Sequence, residues 1–166
     1  MTRRAAAAAA VLMAGAAWMG ALLAAAPGLG AGSPSGRLAA AGVYVVGQRL
    51  CHQRPDRSFA WQGRALPVCA RCLGLYVAVP LGACLAAIGR PRLRSPARRR
   101  GELSARAVLV AAAVPTIATV GLEVVAGVPM TNAVRATTAA PLGATVAWIV
   151  AAWAGGDLDA AEAEVN

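Results

Sequence analysis

Cys51, His52, Cys69 and Cys72 bring three thiols and the only imidazole of the chain into one short stretch, CHQRPDRSFAWQGRALPVCARC. Thiolates and imidazole in this number are a donor set suited to a closed tetrahedral zinc site. The C-x-x-C pair is its strongest element. A turn that ends where a helix begins brings two sulfurs onto one ion, and the helix N-terminal amides favour the thiolate. Cys51 is a nearer candidate than His52, because adjacent side chains on a regular element diverge. One of the two would then support the site from outside the ligand shell.

The same residues admit two other chemistries. Cys69 and Cys72 form a dithiol–disulfide pair if Arg71 and the helix terminus lower a thiol pKa. A static bridge from Cys51 to either later cysteine would instead staple a loop in an oxidising compartment. Haem attachment is disfavoured, since no His follows the C-x-x-C. Cys84 lies a dozen residues beyond Cys72, about 18 Å further along a helix, and reads as a buried apolar thiol outside the site.

A second polar group comes later in the chain. Glu123 is the single carboxylate inside an apolar span, where an ionisable side chain calls for a named partner. Arg135 is that partner. Asn132 and Arg135 fall one helical turn apart and Thr138 continues their face, so the four converge, either around a ligand or as an ion pair that fixes packing.

These residues are carried by a membrane protein. Apolar residues make up 58% of the chain and charged ones 14%, outside the soluble range. The net charge of +9 comes almost wholly from arginines beside apolar spans, without the aromatic-rich basic platform of a nucleic-acid binder. The expected fold is all-α and polytopic, with about four transmembrane helices and an extracytoplasmic Cys/His loop. The first span occupies residues 1–30, centred on Ala5 to Ala26. Ala24, Ala25 and Ala26 before Pro27 also resemble a cleavage site, but the length of the apolar run favours retention.

Residues 31–67 hold a helical segment from Arg37 that is too short to span. It is expected at the interface with Tyr44 near the headgroups, ahead of the Cys/His loop with a short hairpin about Gly63. Residues 68–154 supply three further spans, Val68 to Ile88, Ala107 to Val128 and Ala133 to Trp153, with an arginine-rich connection over 89–106. Residues 155–166 are an acidic, solvated tail. Seven arginines from Arg90 to Arg106, with Arg3 and Arg4, place that connection and both termini in the cytoplasm by the positive-inside rule. The thiols and the polar group then face outward. Tyr44, Trp61 and Tyr76 are read as interface anchors.

The run from Cys51 to Tyr76 resembles the signature of a family of small membrane proteins of bacteria and archaea known as domain of unknown function 2085. The resemblance rests on Cys51, His52, Gln53, Arg57, Ser58, Phe59, Gly63, Pro67, Cys69, Arg71, Cys72, Gly74 and Tyr76. A weaker block follows at Glu123, Asn132, Arg135 and Thr138, where Ala139 stands in place of a Gly. The resemblance implies one site with Arg57, Arg71, Glu123, Asn132, Arg135 and Thr138 around the thiols, in a multi-pass protein of a prokaryotic cell membrane, and supplies no activity. The lipid bilayer is the expected partner and zinc the expected cofactor. Self-association into a homo-oligomer is left open, as is the choice among a metal-binding protein, a membrane thiol oxidoreductase and a small transporter subunit. The absence of an inverted repeat places the transporter last.

Overall fold

The computed structural model describes residues 2–30, 33–88 and 105–156. Apart from residues 105–106 and 155–156, the arginine-rich connection and the acidic tail lie outside them.

Helix α1 (Arg3–Gly28) starts where the Thr2 side chain accepts the Ala5 N–H. Its alanine-rich sequence has the highest intrinsic helix propensity. Helix α2 (Pro34–Leu50) begins with Ser33 as N-cap and Pro34 in its first turn. A two-residue ladder, β1 (Ala60–Trp61) and β2 (Arg64–Ala65), pairs Ala60 with Ala65 and Trp61 with Arg64. Gln62 and Gly63 turn it with φ of 49° and 76°. Positive φ at both central positions is the two-residue turn whose twist matches a hairpin, and glycine takes its second position without strain.

Beyond the hairpin lie α3 (Ala70–Val77), α4 (Val79–Ile88), α5 (Ala105–Val125) and α6 (Asn132–Ala154). The span expected as continuous from Val68 is divided at Ala78. Pro80 has no N–H to return to the carbonyl of Tyr76, four residues back, so the helical ladder lacks a rung there, although Pro115 and Pro141 leave α5 and α6 undivided. Four stretches among the described residues are long and apolar enough to cross a bilayer: Arg3–Gly28, Ala70–Ile88, Ala105–Val125 and Asn132–Ala154. The shortest, with 19 residues, is about 28 Å long, and their outward faces carry Met13, Leu81, Ile117 and Val150. The fold is all-α with four candidate membrane-spanning helices.

Helices α3 and α4 pack on α6 through small residues. A Cβ on Gly74 would collide with the Ala136 carbonyl, and one on Gly143 with the Leu75 carbonyl. Association of apolar helices in lipid depends on this close backbone approach, since lipid removes most of the hydrophobic drive. Helix α5 joins α6 by polar contacts: Thr116 Oγ1 donates to the Thr138 carbonyl at 2.8 Å, and the Thr119 and Thr138 hydroxyls lie 3.3 Å apart. At one end of the bundle Arg4 Nε donates to the Ala86 carbonyl at 2.8 Å, so α1 starts where α4 finishes. At the other end α3 and α6 start, α5 finishes, and the hairpin lies.

Candidate functional site

The three thiols meet because of how the loop is tied down. Cys51 follows the last residue of α2, and Gln53 takes a left-handed backbone with φ of 48°. That conformation, uncommon without glycine, is compensated by the Gln53 side chain. Its Nε2 donates to the carbonyls of Tyr44 and Pro67, each at 2.7 Å, stapling the segment after Cys51 to both α2 and the approach to Cys69. The Tyr44 hydroxyl donates to the Ala65 carbonyl at 2.5 Å. Tyr44 therefore fastens the hairpin to α2. Tyr76 likewise meets Trp18 edge-on at 6.1 Å, whereas Trp61 stays exposed.

Cys69 is the N-cap of α3 and Cys72 its third residue, so the C-x-x-C spans the first helical turn. Cys51 approaches from the opposite side, its sulfur accepting the Cys69 backbone N–H at 3.2 Å. The Sγ atoms of Cys51, Cys69 and Cys72 all lie within 4.8 Å of one another. Sulfurs on one tetrahedral zinc stand about 3.8 Å apart for a Zn–S bond of about 2.3 Å, so small side-chain adjustments suffice. The Cys72 thiol, hydrogen-bonded to Cys69, lowers the Cys69 thiol to about 5 against the opposing effect of burial. His52 is exposed and is not part of the sulfur trio. It does line the same cavity of about 460 Å³ as the three cysteines. Asp56, the other residue near enough in sequence to complete a shell, pairs with Arg54 at 3.2 Å and Arg57 at 3.8 Å. Cys84 stands apart from the trio on α4, on an exposed face.

Beside the thiols lies the second polar group. Glu123 Oε1 accepts Arg135 Nε at 2.9 Å and Nη2 at 2.6 Å. Its Oε2 accepts from Arg71 Nη2. Arg135 Nη1 donates to Asn132 Oδ1 at 2.8 Å, and Asn132 Nδ2 donates to the Ser58 carbonyl at 2.9 Å. Thr138 sits one turn on, bonded to the Val134 carbonyl at 2.8 Å and to Thr119, so it extends the α5–α6 seam without touching the carboxylate. Arg71, Arg135 and Arg57 also line the cavity. Arg71 is the link, projecting from the C-x-x-C turn to Glu123. Its pairing was not legible from position, because Arg135 at the start of the next span already offered a partner.

Sequence reasoning also missed the contribution of α1. Trp18 packs against, and Leu22 belongs to, the apolar cluster around Cys51 and Val68, with Cys69, Cys72 and Leu73 at its edge. The thiols thus have a dry wall on one side and the arginine-lined cavity on the other.

Residues 51–149 match the model of a family described as a predicted membrane protein, DUF2085. The match begins on the first thiol and covers more than half of the chain. The chain belongs to this family. An uncharacterized protein of Methanocaldococcus jannaschii is 48% identical over 40 residues, which are 24% of this chain and 26% of the relative. An uncharacterized protein of Methanothermobacter thermautotrophicus is 46% identical over 28 residues, 17% of this chain and 25% of the relative. The matched part of the chain spans about a quarter of the length of each. No solved structure matches the chain. The DUF2085 match contains both the thiol cluster and the Glu123 network, and leaves α1 outside it.

Proposed function

We propose that this DUF2085 protein is a multi-pass protein of a prokaryotic cytoplasmic membrane that holds a zinc-like ion on Cys51, Cys69 and Cys72 at the outer mouth of its bundle. The observation that carries this reading is the convergence of three sulfurs from two separate segments within 4.8 Å. A lone C-x-x-C would serve redox exchange equally well, whereas a third sulfur delivered by a clamped loop is what a metal requires. His52, on the cavity that the thiols line, is the residue available for the fourth position. The Glu123 network holds Arg71, and with it the C-x-x-C turn, in place around the centre.

What supports the outward orientation is that Arg3 and Arg4 lie at the end of the bundle opposite the thiols, and that the connection after α4 is rich in arginine. The related chains of two archaea support the prokaryotic assignment.

A second reading, thiol–disulfide exchange, is favoured by the lowered Cys69 thiol, the form that attacks a disulfide. One experiment separates the two. Protein purified anaerobically in detergent is subjected to elemental analysis, thiol counting and mass spectrometry after alkylation without reduction. About one metal ion per chain, lost on Cys69→Ser or Cys72→Ser and kept on Cys84→Ser, is the expected outcome. A fully occupied Cys69–Cys72 or Cys51-linked disulfide with no metal refutes the metal centre and leaves redox or structural bridging.

A further inference from the structure

The cavity beside the thiols has a charge imbalance that the metal reading does not use. Arg54, Arg57, Arg71 and Arg135 all line it, and none of the described residues lining it is acidic. The carboxylates that meet these arginines are Asp56, on Arg54 and Arg57, and Glu123, on Arg71 and Arg135. Four guanidinium charges thus face two carboxylates. Three thiolates on a divalent ion carry a net charge of minus one, which still leaves positive charge uncompensated.

Two specific donors mark where it is concentrated. Arg57 Nε and Arg71 Nε are buried and have no hydrogen-bond partner among the described residues. Arg57 Nε has only the 3.8 Å approach of Asp56, too long for a hydrogen bond. A buried donor left unmade costs about 1–3 kcal/mol, more when charged, so two at one cavity point to a ligand with acceptor oxygens. Arg135, by contrast, has its Nε and both terminal nitrogens committed to Glu123 and Asn132.

We infer that this cavity binds a phosphate-type oxyanion group on Arg57 and Arg71 beside the thiol cluster. Guanidinium groups recognise such planar or tetrahedral oxygens with paired N–H donors. A volume of about 460 Å³ lies in the range of small organic ligands, well above that of a single inorganic ion. The site deepens the proposed function by naming the substrate class, and rests on that reading only for the role of the anion beside a metal. The arginine geometry stands without the ion.

The test is titration calorimetry of the full chain in uncharged detergent at low ionic strength, with inorganic phosphate and with dihexanoyl phosphatidic acid as separate probes. Wild-type protein is expected to bind at least one of them. Arg57→Gln is expected to weaken that binding at least tenfold, and Arg37→Gln, a charge change in the first turn of α2 at the opposite end from Leu50 and Cys51, to alter it less than twofold. Arg57 lies outside the Glu123 network, so its variant should keep the wild-type melting temperature. Arg57→Lys, which keeps the charge but loses the fork, is expected to fall between. Tighter binding of the phosphatidic acid identifies a lipid headgroup as the source of the oxyanion, and equal binding identifies a free solute. Absence of binding by both probes, or equal loss in Arg57→Gln and Arg37→Gln, overturns the anion site. Metal content measured on the same samples keeps the two readings apart: one ion per chain without anion binding sinks only this inference, and anion binding without metal sinks only the metal centre.

Discussion

Replacing Glu123 by Leu removes the acceptor shared by two arginines. In the folded protein the carboxylate side chain is 7% exposed, and the side chains of Arg135 and Arg71 are 10% and 17% exposed. Glu123→Leu leaves three charged N–H bonds unmade and sets two guanidinium groups side by side with their counter-charge removed. Removing one member of a buried ion pair costs about 3–5 kcal/mol, and the partial exposure of Arg71 toward the cavity favours the middle of that range, about 4 kcal/mol. Arg135→Leu should cost less, about 2–3 kcal/mol, because Glu123 keeps Arg71 while Asn132 loses a donor. In the double variant Arg71 is the one unpaired charge of the network, and the combined loss should fall short of the sum by about 2 kcal/mol.

The assay is a double-mutant cycle by detergent-denaturant unfolding in mixed micelles, followed by tryptophan fluorescence. Single interhelical hydrogen bonds in membrane proteins couple by about 0.6 kcal/mol on average and at most about 1.7. A coupling near 2 kcal/mol is therefore the mark of a charged network. Losses additive to within about 0.5 kcal/mol would show that Glu123 and Arg135 do not act on each other and would remove the support proposed for the C-x-x-C turn.

Three further outcomes are expected. Gly74→Val, which drives a side chain into the Ala136 carbonyl, should destabilise the bundle by about 3 kcal/mol, the upper end of overpacking costs, because a helix backbone cannot give way as a side chain does; unchanged melting would contradict the close packing of α3 on α6. In reduced, chelator-treated protein the Cys69 thiolate should persist as pH falls and be lost only through about pH 5, so iodoacetamide labelling of Cys69 followed by mass spectrometry should keep its neutral-pH rate at pH 6.5. In Cys72→Ser the hydroxyl is a different donor and the midpoint should move; an unchanged, ordinary thiol midpoint near 8–9 in the wild type would refute the hydrogen bond from Cys72. A membrane-impermeant maleimide applied to reduced, chelator-treated spheroplasts should label Cys51, Cys69 or Cys72 and leave the lipid-facing Cys84 unlabelled, and labelling confined to inverted vesicles would reverse the orientation.

The membrane class and the span positions could be read from the chain because a bilayer imposes a length and a polarity that short-range composition satisfies by itself. Ala5 to Ala26 can do little else, and Pro34 stands in the first turn of α2 and Pro67 just ahead of α3. The hairpin about Gly63 and the helix start at Cys69 were also local matters, set by a positive-φ glycine and by a residue that breaks the helical pattern. Even the Glu123–Arg135 pair was legible, since a carboxylate in an apolar span has few charges within reach.

What local pattern did not contain was how the pieces meet in space. Nothing in the sequence separates Pro80, beside the division at Ala78, from Pro115 and Pro141, which stand inside undivided helices. That Arg71 pairs with Glu123, and that Tyr44 holds Ala65, depends on distances between segments far apart in sequence. Trp18 and Leu22 gave no signal at all, because residues on an apolar helix look alike whether they face lipid or a thiol cluster. The sequence determined which residues were chemically capable and that they belong in a membrane. Only the tertiary structure decided that Cys51 joins the C-x-x-C while His52 stays at the rim, because a sulfur's neighbours are set by the backbone clamp at Gln53 and by packing across helices, which spacing along one segment does not encode.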